Sequence, residues 1–235
     1  MVSVCMATYN GERYLREQVD SILTQIGEED EIIVSDDGST DHTIEILRAY
    51  NDERIKIFNN NNRKGVVGNF ENALRRAKGE YIFLADQDDV WINGKVEKCV
   101  AVLQHADLVV TDCYVTDANL NIVEPSFFTV RGSRRGFWKN LIKNSYLGAC
   151  VAFRAELLKI VMPIPCNLPV YHEGWIASLA DITGNVVFSN FKGIYFRRHE
   201  NNTSFTAKKT KLSIYAQLRY RIVLLWLVTK RLMRN

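Results

Sequence analysis

An α/β fold on a largely parallel sheet, with helices on both faces and a basic amphipathic helix at the C-terminal end, is what this sequence predicts. Three observations predict it. Short β-rich apolar runs alternate with segments of helical spacing through the N-terminal half. Polar clusters follow the apolar runs at the positions where strands end. Residues 206–235 combine apolar steps of three and four with basic residues and no acid. Strand–helix–strand repetition implies right-handed crossovers and a sheet covered on both faces.

In chain order, strands are predicted at Val2–Met6, Glu31–Ser35, Arg54–Phe58 and Glu80–Ala85. Leu15, Val19, Ile22, Leu23 and Ile26 share one helical face between the first two. Ile44, Leu47 and Tyr50 form the next helix, which Asp41, Ser39 or Thr40 can cap. Val67, Phe70, Leu74 and Ala77 form the third. A helix over Gly94–His105 and a strand over Asp107–Val115 follow. Asn119–Arg135 reads as a loop. Beyond it, helical spacing returns at Phe137–Ile142, Ala155–Val161 and Gly174–Asp181, with strand-like runs at Gly148–Arg154 and Asn185–Arg197. No linker or repeat interrupts the pattern, so one domain over 1–205 and an extension over 206–235 are expected.

The 235 residues are 47% apolar, enough for one good core. A net charge of +3 is too mild to point to nucleic acid as a partner. The cysteines (Cys5, Cys99, Cys113, Cys150, Cys166) are odd in number and lack metal-type spacing, which suits free thiols in a reducing compartment. Met1–Met6 has no basic flank and reads as a strand rather than a leader. The longest apolar run, Ile222–Val228, falls well short of the roughly 18 residues of a membrane span. A cytoplasmic protein resting on the inner face of the cell membrane is the expectation.

Ligands of open parallel sheets bind beyond the carboxyl ends of the strands. Three polar clusters fall there: Thr8-Tyr9-Asn10-Gly11-Glu12, Asp36-Asp37-Gly38-Ser39 and Asp86-Gln87-Asp88-Asp89. Crowded carboxylates in the last are hard oxygen donors of the kind that hold Mg²⁺ or Mn²⁺ against phosphate. An acidic turn can equally cap the next helix, and Asp36-Asp37 can be a turn. In the functional reading one of that pair accepts hydrogen bonds from a nucleobase or ribose, with Tyr9 stacked on the base. Neither GxGxxG after the first strand nor GxxxxGK[ST] is present, which argues against dinucleotide and P-loop sites.

The strings Val2-Ser3-Val4-Cys5-Met6-Ala7-Thr8-Tyr9-Asn10-Gly11, Val34-Ser35-Asp36-Asp37-Gly38-Ser39-Thr40-Asp41 and Gly79-Glu80-Tyr81-Ile82-Phe83-Leu84-Ala85-Asp86-Gln87-Asp88-Asp89-Val90-Trp91 resemble, in order and spacing, those of family 2 glycosyltransferases with the GT-A fold. The last is similar to the rhamnosyl- and hexosyltransferases of bacterial surface-polysaccharide synthesis. The resemblance implies an inverting, metal-dependent transfer of sugar from a UDP- or dTDP-sugar to a lipid-linked or oligosaccharide acceptor. It implies a nucleotide-sugar half over 1–115 and an acceptor half over 116–205. Tyr9 and Asp37 would hold the base, with Ala7, Glu12 and Lys64 beside it. Asp86 would approach the ribose or the metal, and Asp88 would be the main ligand of Mn²⁺ or Mg²⁺.

His172-Glu173-Gly174-Trp175 matches the family's His-Asp-x-Trp segment with glutamate for aspartate. Glu173 is therefore the candidate catalytic base, Asp112 its reserve, and His172 and Trp175 are expected on the acceptor side. Arg197-Arg198-His199-Glu200-Asn201-Asn202 resembles the family's Tyr-Arg-x-His-x-x-Asn segment, making His199 a metal or phosphate ligand. A catalytically silent sugar-nucleotide-binding subunit is the alternative. Leu212, Tyr215, Leu218, Ile222, Leu225, Trp226 and Thr229, flanked by Lys208, Lys209, Lys211, Arg219, Arg221, Lys230, Arg231 and Arg234, suit either an anionic membrane surface or burial on the core or a homodimer partner.

Overall fold

A computed structural model describes residues 1–169, 171–200, 202 and 213–234. The expected elements form in order: β1 (Val2–Thr8), α1 (Leu15–Leu23), β2 (Glu31–Asp36), α2 (Thr43–Ala49), β3 (Ile55–Asn59), α3 (Val66–Leu74) and β4 (Tyr81–Ala85). Strands β3, β2, β1 and β4 lie side by side, all parallel. Both faces of this block are covered, which is why Val4, Cys5, Met6, Ile32, Ile33 and Val34 are buried without alternation. Asp41 is the residue that ends the approach to α2: its carboxylate accepts from the Thr43 and Glu12 N–H groups.

The second half continues the sheet with mixed direction. β5 (Val90–Trp91), α4 (Lys95–Leu103) and β6 (Leu108–Thr116) follow, then β7 (Ile122–Glu124), α5 (Phe127–Arg131), α6 (Phe137–Ile142), β8 (Val151–Arg154), α7 (Leu158–Val161), α8 (His172–Thr183), β9 (Val186–Arg197) and α9 (Ile214–Leu232). The sheet order is β3-β2-β1-β4-β8-β6-β9-β5. β8 runs antiparallel between β4 and β6, while β9 is parallel to β6. Where β6 meets β9 the register slips around Asp112, and a Cβ on Gly193 would sit 2.4 Å from the Thr111 hydroxyl oxygen, so only glycine permits that approach.

Three elements escaped the periodicity reading, the first being the two-residue β5. Asn119–Arg135, expected as a loop, contains β7 and α5, both too short to show a period. Asp112 organises them. Its carboxylate accepts from the Phe128 N–H and the Ser126 hydroxyl, and Lys192 closes an ion pair on it. Held in this way, and by the Cys113 N–H as well, Asp112 does not line the cleft described below. Asp112→Ala leaves the Lys192 ammonium without its partner and should cost about 3 kcal/mol in denaturant unfolding, with no group removed from the cleft described below.

α9 presents two apolar faces. Leu224, Leu227 and Val228 are buried against the domain, and Arg231 donates to the Ile160, Met162 and Pro163 carbonyls. The expected stripe of Tyr215, Leu218, Ile222, Leu225 and Trp226 instead faces outward. Lys208, Lys209, Lys211 and Leu212 lie outside the described residues. Among the described residues no helix is long and apolar enough to cross a membrane.

Candidate active site

The parallel register sets the ends of three strands together: Thr8 pairs with Asp36, and Met6 with Ala85. The loops beyond them line a cleft of about 670 Å³, to which Tyr171–Glu173, Phe196, His199 and Asn202 also contribute. Ala7, Tyr9, Asp37, Asp86, Asp88, His172, Glu173 and His199 are thus brought to one cavity from across the chain.

The two acids after β2 divide their work. Asp36 accepts from the Thr8 hydroxyl, the Ser39 hydroxyl and the Gly38 and Ser39 N–H groups, so it shapes the turn. Asp37 lines the cleft, its carboxylate held by the Asn60 amide at 2.9 Å and the Gly65 N–H at 2.7 Å. Gly65 has φ 92°, a conformation that side chains resist, and this aims its N–H at Asp37. Lys64 donates to the Asp37 carbonyl at 2.8 Å and stays 65% exposed on its side chain, at the rim. Tyr9 is 57% exposed and held through its backbone by the Gln87 amide. Glu12 is not brought in: it pairs with His42 at 2.7 Å and accepts the His42 N–H at the start of α2.

The acidic loop after β4 is clamped from β9. Arg197 is buried, donates to the Asp88 carbonyl and the Ala118 carbonyl, pairs with Glu17, and its own N–H reaches the buried Asp89 carboxylate. Burial pushes the Asp89 carboxyl well up, and the neighbouring carboxylates add to this. Asp86 is pushed up to about 7, first by burial and then by Asp88. Asp88 meets His199 Nε2 at 2.8 Å and the Asn202 amide at 3.1 Å, both through the same carboxylate oxygen. Asn202 also takes the His199 N–H at 2.5 Å, which orients the imidazole.

A carboxylate and an imidazole meeting at the cleft wall suit a divalent cation. Among the described residues no group of three or more such donors is assembled. A cation held by the pair would have to complete its shell from other oxygens, such as substrate phosphate.

Also lining the cleft, Glu173 opens α8 and is nearly buried. Burial pushes its carboxyl up to about 8, and Asp86 adds to the rise. His172 stacks on Phe70 with ring centroids 3.7 Å apart, and burial drives its ring down to about 3, so it stays neutral. Neither of its ring nitrogens has a hydrogen-bond partner. Trp175 is not in the cleft. It is fully buried, donating to the Val161 carbonyl at 3.0 Å and lying 5.3 Å beneath the Arg231 guanidinium of α9.

Sequence reasoning missed Asn60 and Gly65 as the holders of Asp37, and Gln87, Arg197 and Asn202 as organisers of Tyr9 and Asp88. Arg197 and Asn202 stood in a motif already noticed for His199. Nothing in the chain order of Asn60 or Gln87 signals a partner tens of residues away.

The mixed α/β architecture is the GT-A fold that the motifs imply. It superposes on the structure of S. aureus TarS 1-349 in complex with UDP-GlcNAc with a TM-score of 0.71, over 95% of this chain and 66% of that one, at 23% identity. The mannosyltransferase PcManGT from Pyrobaculum calidifontis, in complex with GDP-Man and Mn²⁺, matches over 100% of this chain and 64% of its own, with a TM-score of 0.61 at 19% identity. In sequence, the UDP-Glc:alpha-D-GlcNAc-diphosphoundecaprenol beta-1,3-glucosyltransferase WfgD of Escherichia coli is 26% identical over 215 residues, 90% of this chain and 81% of its own length. The chain spans about half the length, or less, of several other curated relatives that it matches. Residues 3–161 match the family described as Glycosyl transferase family 2. That match runs from β1 through α7 and crosses all three strand-end loops of the cleft, and the chain belongs to glycosyltransferase family 2.

Proposed function

We propose that the chain moves a sugar from a nucleoside-diphosphate donor, a UDP- or dTDP-sugar, to an acceptor hydroxyl with inversion at the anomeric carbon. The observation that carries this reading is the single cleft lined by Asp37, Asp88 and Glu173 together. Residues 1–115 supply the donor end and 116–205 most of the acceptor end. Tyr9 stacks on the base and the Asp37 carboxylate, fixed by Asn60 and Gly65, accepts from its imide. Ala7 leaves room for the nucleoside, and Lys64 closes the rim.

Asp88 and His199, with Asp86 beside them, would hold Mn²⁺ or Mg²⁺, whose charge offsets that developing on the departing diphosphate. Glu173 accepts the proton of the acceptor hydroxyl as its oxygen bonds to the anomeric carbon and the bond from that carbon to the diphosphate breaks. His172, its ring neutral and free of hydrogen bonds and its Nδ1 3.5 Å from the Glu173 carboxylate, orients the acceptor. The name of WfgD supports a UDP-sugar donor and an acceptor carried on a lipid diphosphate. A lipid-linked acceptor is met at a membrane, and the basic outward side of α9 would bring the chain to an anionic one.

The test is transfer from a panel of UDP- and dTDP-sugars to lipid-diphosphate-linked acceptors, with Mn²⁺ or Mg²⁺ and with chelator. Product of inverted configuration is expected with at least one donor. Tight donor binding without turnover on any acceptor would assign the chain as a silent binding subunit. Tyr9→Ala should weaken nucleotide binding by about 1–3 kcal/mol, the scale of one base–aromatic stack, read by calorimetry.

A further inference from the structure

Away from the cleft, α3 and α9 enclose a second groove of about 650 Å³ whose charge is one-sided. Arg63, Arg75, Lys230, Arg231 and Arg234 line it against a single carboxylate, Glu71. Glu71 is committed to Arg75 at 2.5 Å and to Arg63 at 3.7 Å. The hydrogen bonds of Arg231 go to neutral carbonyls and leave its charge uncancelled. Lys230 rests over the Trp226 ring at 4.6 Å, and among the described residues neither Lys230 nor Arg234 has an ion pair.

The groove adjoins the outward stripe of α9. Ile222 is 66% exposed and Trp226, shared by groove and stripe, 54%. Tyr215, Leu218 and Met233 extend the stripe along the helix, and Trp138 and Ile142 of α6, which packs beside α9, are exposed as well. An apolar patch beside a pocket of excess cations has the two chemistries of an anionic amphiphile. A second copy of this chain is a poor occupant, because self-pairing of α9 would set the same bases against each other, with no acid in residues 201–235 to offset them.

We infer that the groove between α3 and α9 seats the phosphate headgroup of an anionic bilayer lipid, while the α9 stripe lies among the lipid chains. This rests on the membrane partner proposed above and adds the place where the headgroup binds. Because α3 and α8 line both cavities, Asn69, Phe70 and Glu173 on the cleft and Glu71, Arg75 and Trp175 on the groove, a lipid held there would seat the acceptor wall of the cleft at the bilayer.

Flotation with vesicles of phosphatidylglycerol and phosphatidylcholine, against phosphatidylcholine alone, tests it at physiological ionic strength. The protein should bind the anionic vesicles and leave the neutral ones. Lys230→Glu with Arg234→Glu should weaken that binding about tenfold or more. Arg16→Glu with Arg48→Glu, the same charge change on exposed sites of α1 and α2, should weaken it far less. Ile222→Ser should weaken it while leaving the fold intact by circular dichroism. Equal loss in the two charge-reversed proteins would overturn the groove as the seat, as would undiminished binding by the Lys230/Arg234 variant or equal binding to neutral vesicles. Thermal stabilisation by inorganic phosphate without vesicle binding would assign a free-phosphate site instead. A concentration-dependent dimer dissolved by Ile222→Ser would assign the stripe to a second copy. Donor hydrolysis in vesicle-free buffer, run in parallel, reads the transferase reading separately from the lipid result.

Discussion

Glu173→Gln is expected to bind nucleotide-sugar as the parent protein does and to turn it over about a hundred- to ten-thousand-fold more slowly, the range for loss of a positioned general base. The isosteric amide keeps the shape of the cleft wall and removes the group that accepts the proton. Calorimetry of donor binding and single-turnover transfer separate the two effects. With its carboxyl pushed up to about 8 by burial, Glu173 is mostly protonated in the free protein at neutral pH, so kcat/KM should rise with pH until about 8. That limb should vanish in the variant. Turnover near the parent value would remove Glu173 from the base role, and Asp112 is not free to inherit it.

Stability moves the opposite way. The Glu173 carboxyl is raised from 4.5 in its ordinary state to about 8 in the fold. Below the lower value both states are protonated and the residue contributes nothing. As pH rises between the two, the unfolded chain ionises first and the native state loses ground. Glu173→Gln should therefore melt at a higher temperature than the parent at pH 8, with the difference shrinking toward pH 4.5. A stabilised protein that has lost turnover is a signature that a merely structural residue does not produce.

Asp88→Ala should abolish the metal dependence of donor binding. The parent is expected to bind UDP-sugar more tightly with Mn²⁺ than with chelator. The variant should show the chelator value in both, and transfer at least a hundredfold slower, since offsetting charge on a departing diphosphate is worth several kcal/mol. Calorimetry with and without Mn²⁺ checks it. His199→Ala should reproduce part of the effect, because the imidazole meets the same carboxylate oxygen. Unchanged affinity in the presence of Mn²⁺ would strike Asp88 from the ligand set. Asn202→Ala, which removes the amide that sits against both the Asp88 carboxylate and His199 Nε2, should fall between the two.

How far the chain order reveals such a site depends on whether a residue acts through its place on a strand or through a distant partner. Tyr9, Asp37 and Asp88 follow strand ends, and parallel register alone sets those ends in a row. Their convergence was legible, as were nearly all strands and helices. Glu12 and Trp175 were not: both match motif positions, yet one turns to His42 and the other into the core. A helix start offers several directions at once, and neighbours decide which is taken. The outward stripe of α9 is a similar case. Its apolar period was visible, but two stripes share the helix, and only packing chose Leu224, Leu227 and Val228 for the core.

The sequence by itself determined the α/β order, the family, and the row of carboxylates at the strand ends, because strand periodicity and local motifs are written in neighbouring residues. Tertiary structure alone decided that Asp36 shapes a turn while Asp37 lines the cleft, that Asp112 is tied to Lys192, and that Arg197 and Asn202 govern Asp88 and His199. It also set the buried surroundings that raise Glu173. Each of these is a matter of burial or of hydrogen bonds between segments far apart in the chain. Such contacts exist only once the whole sheet has closed and water has been displaced from between its loops.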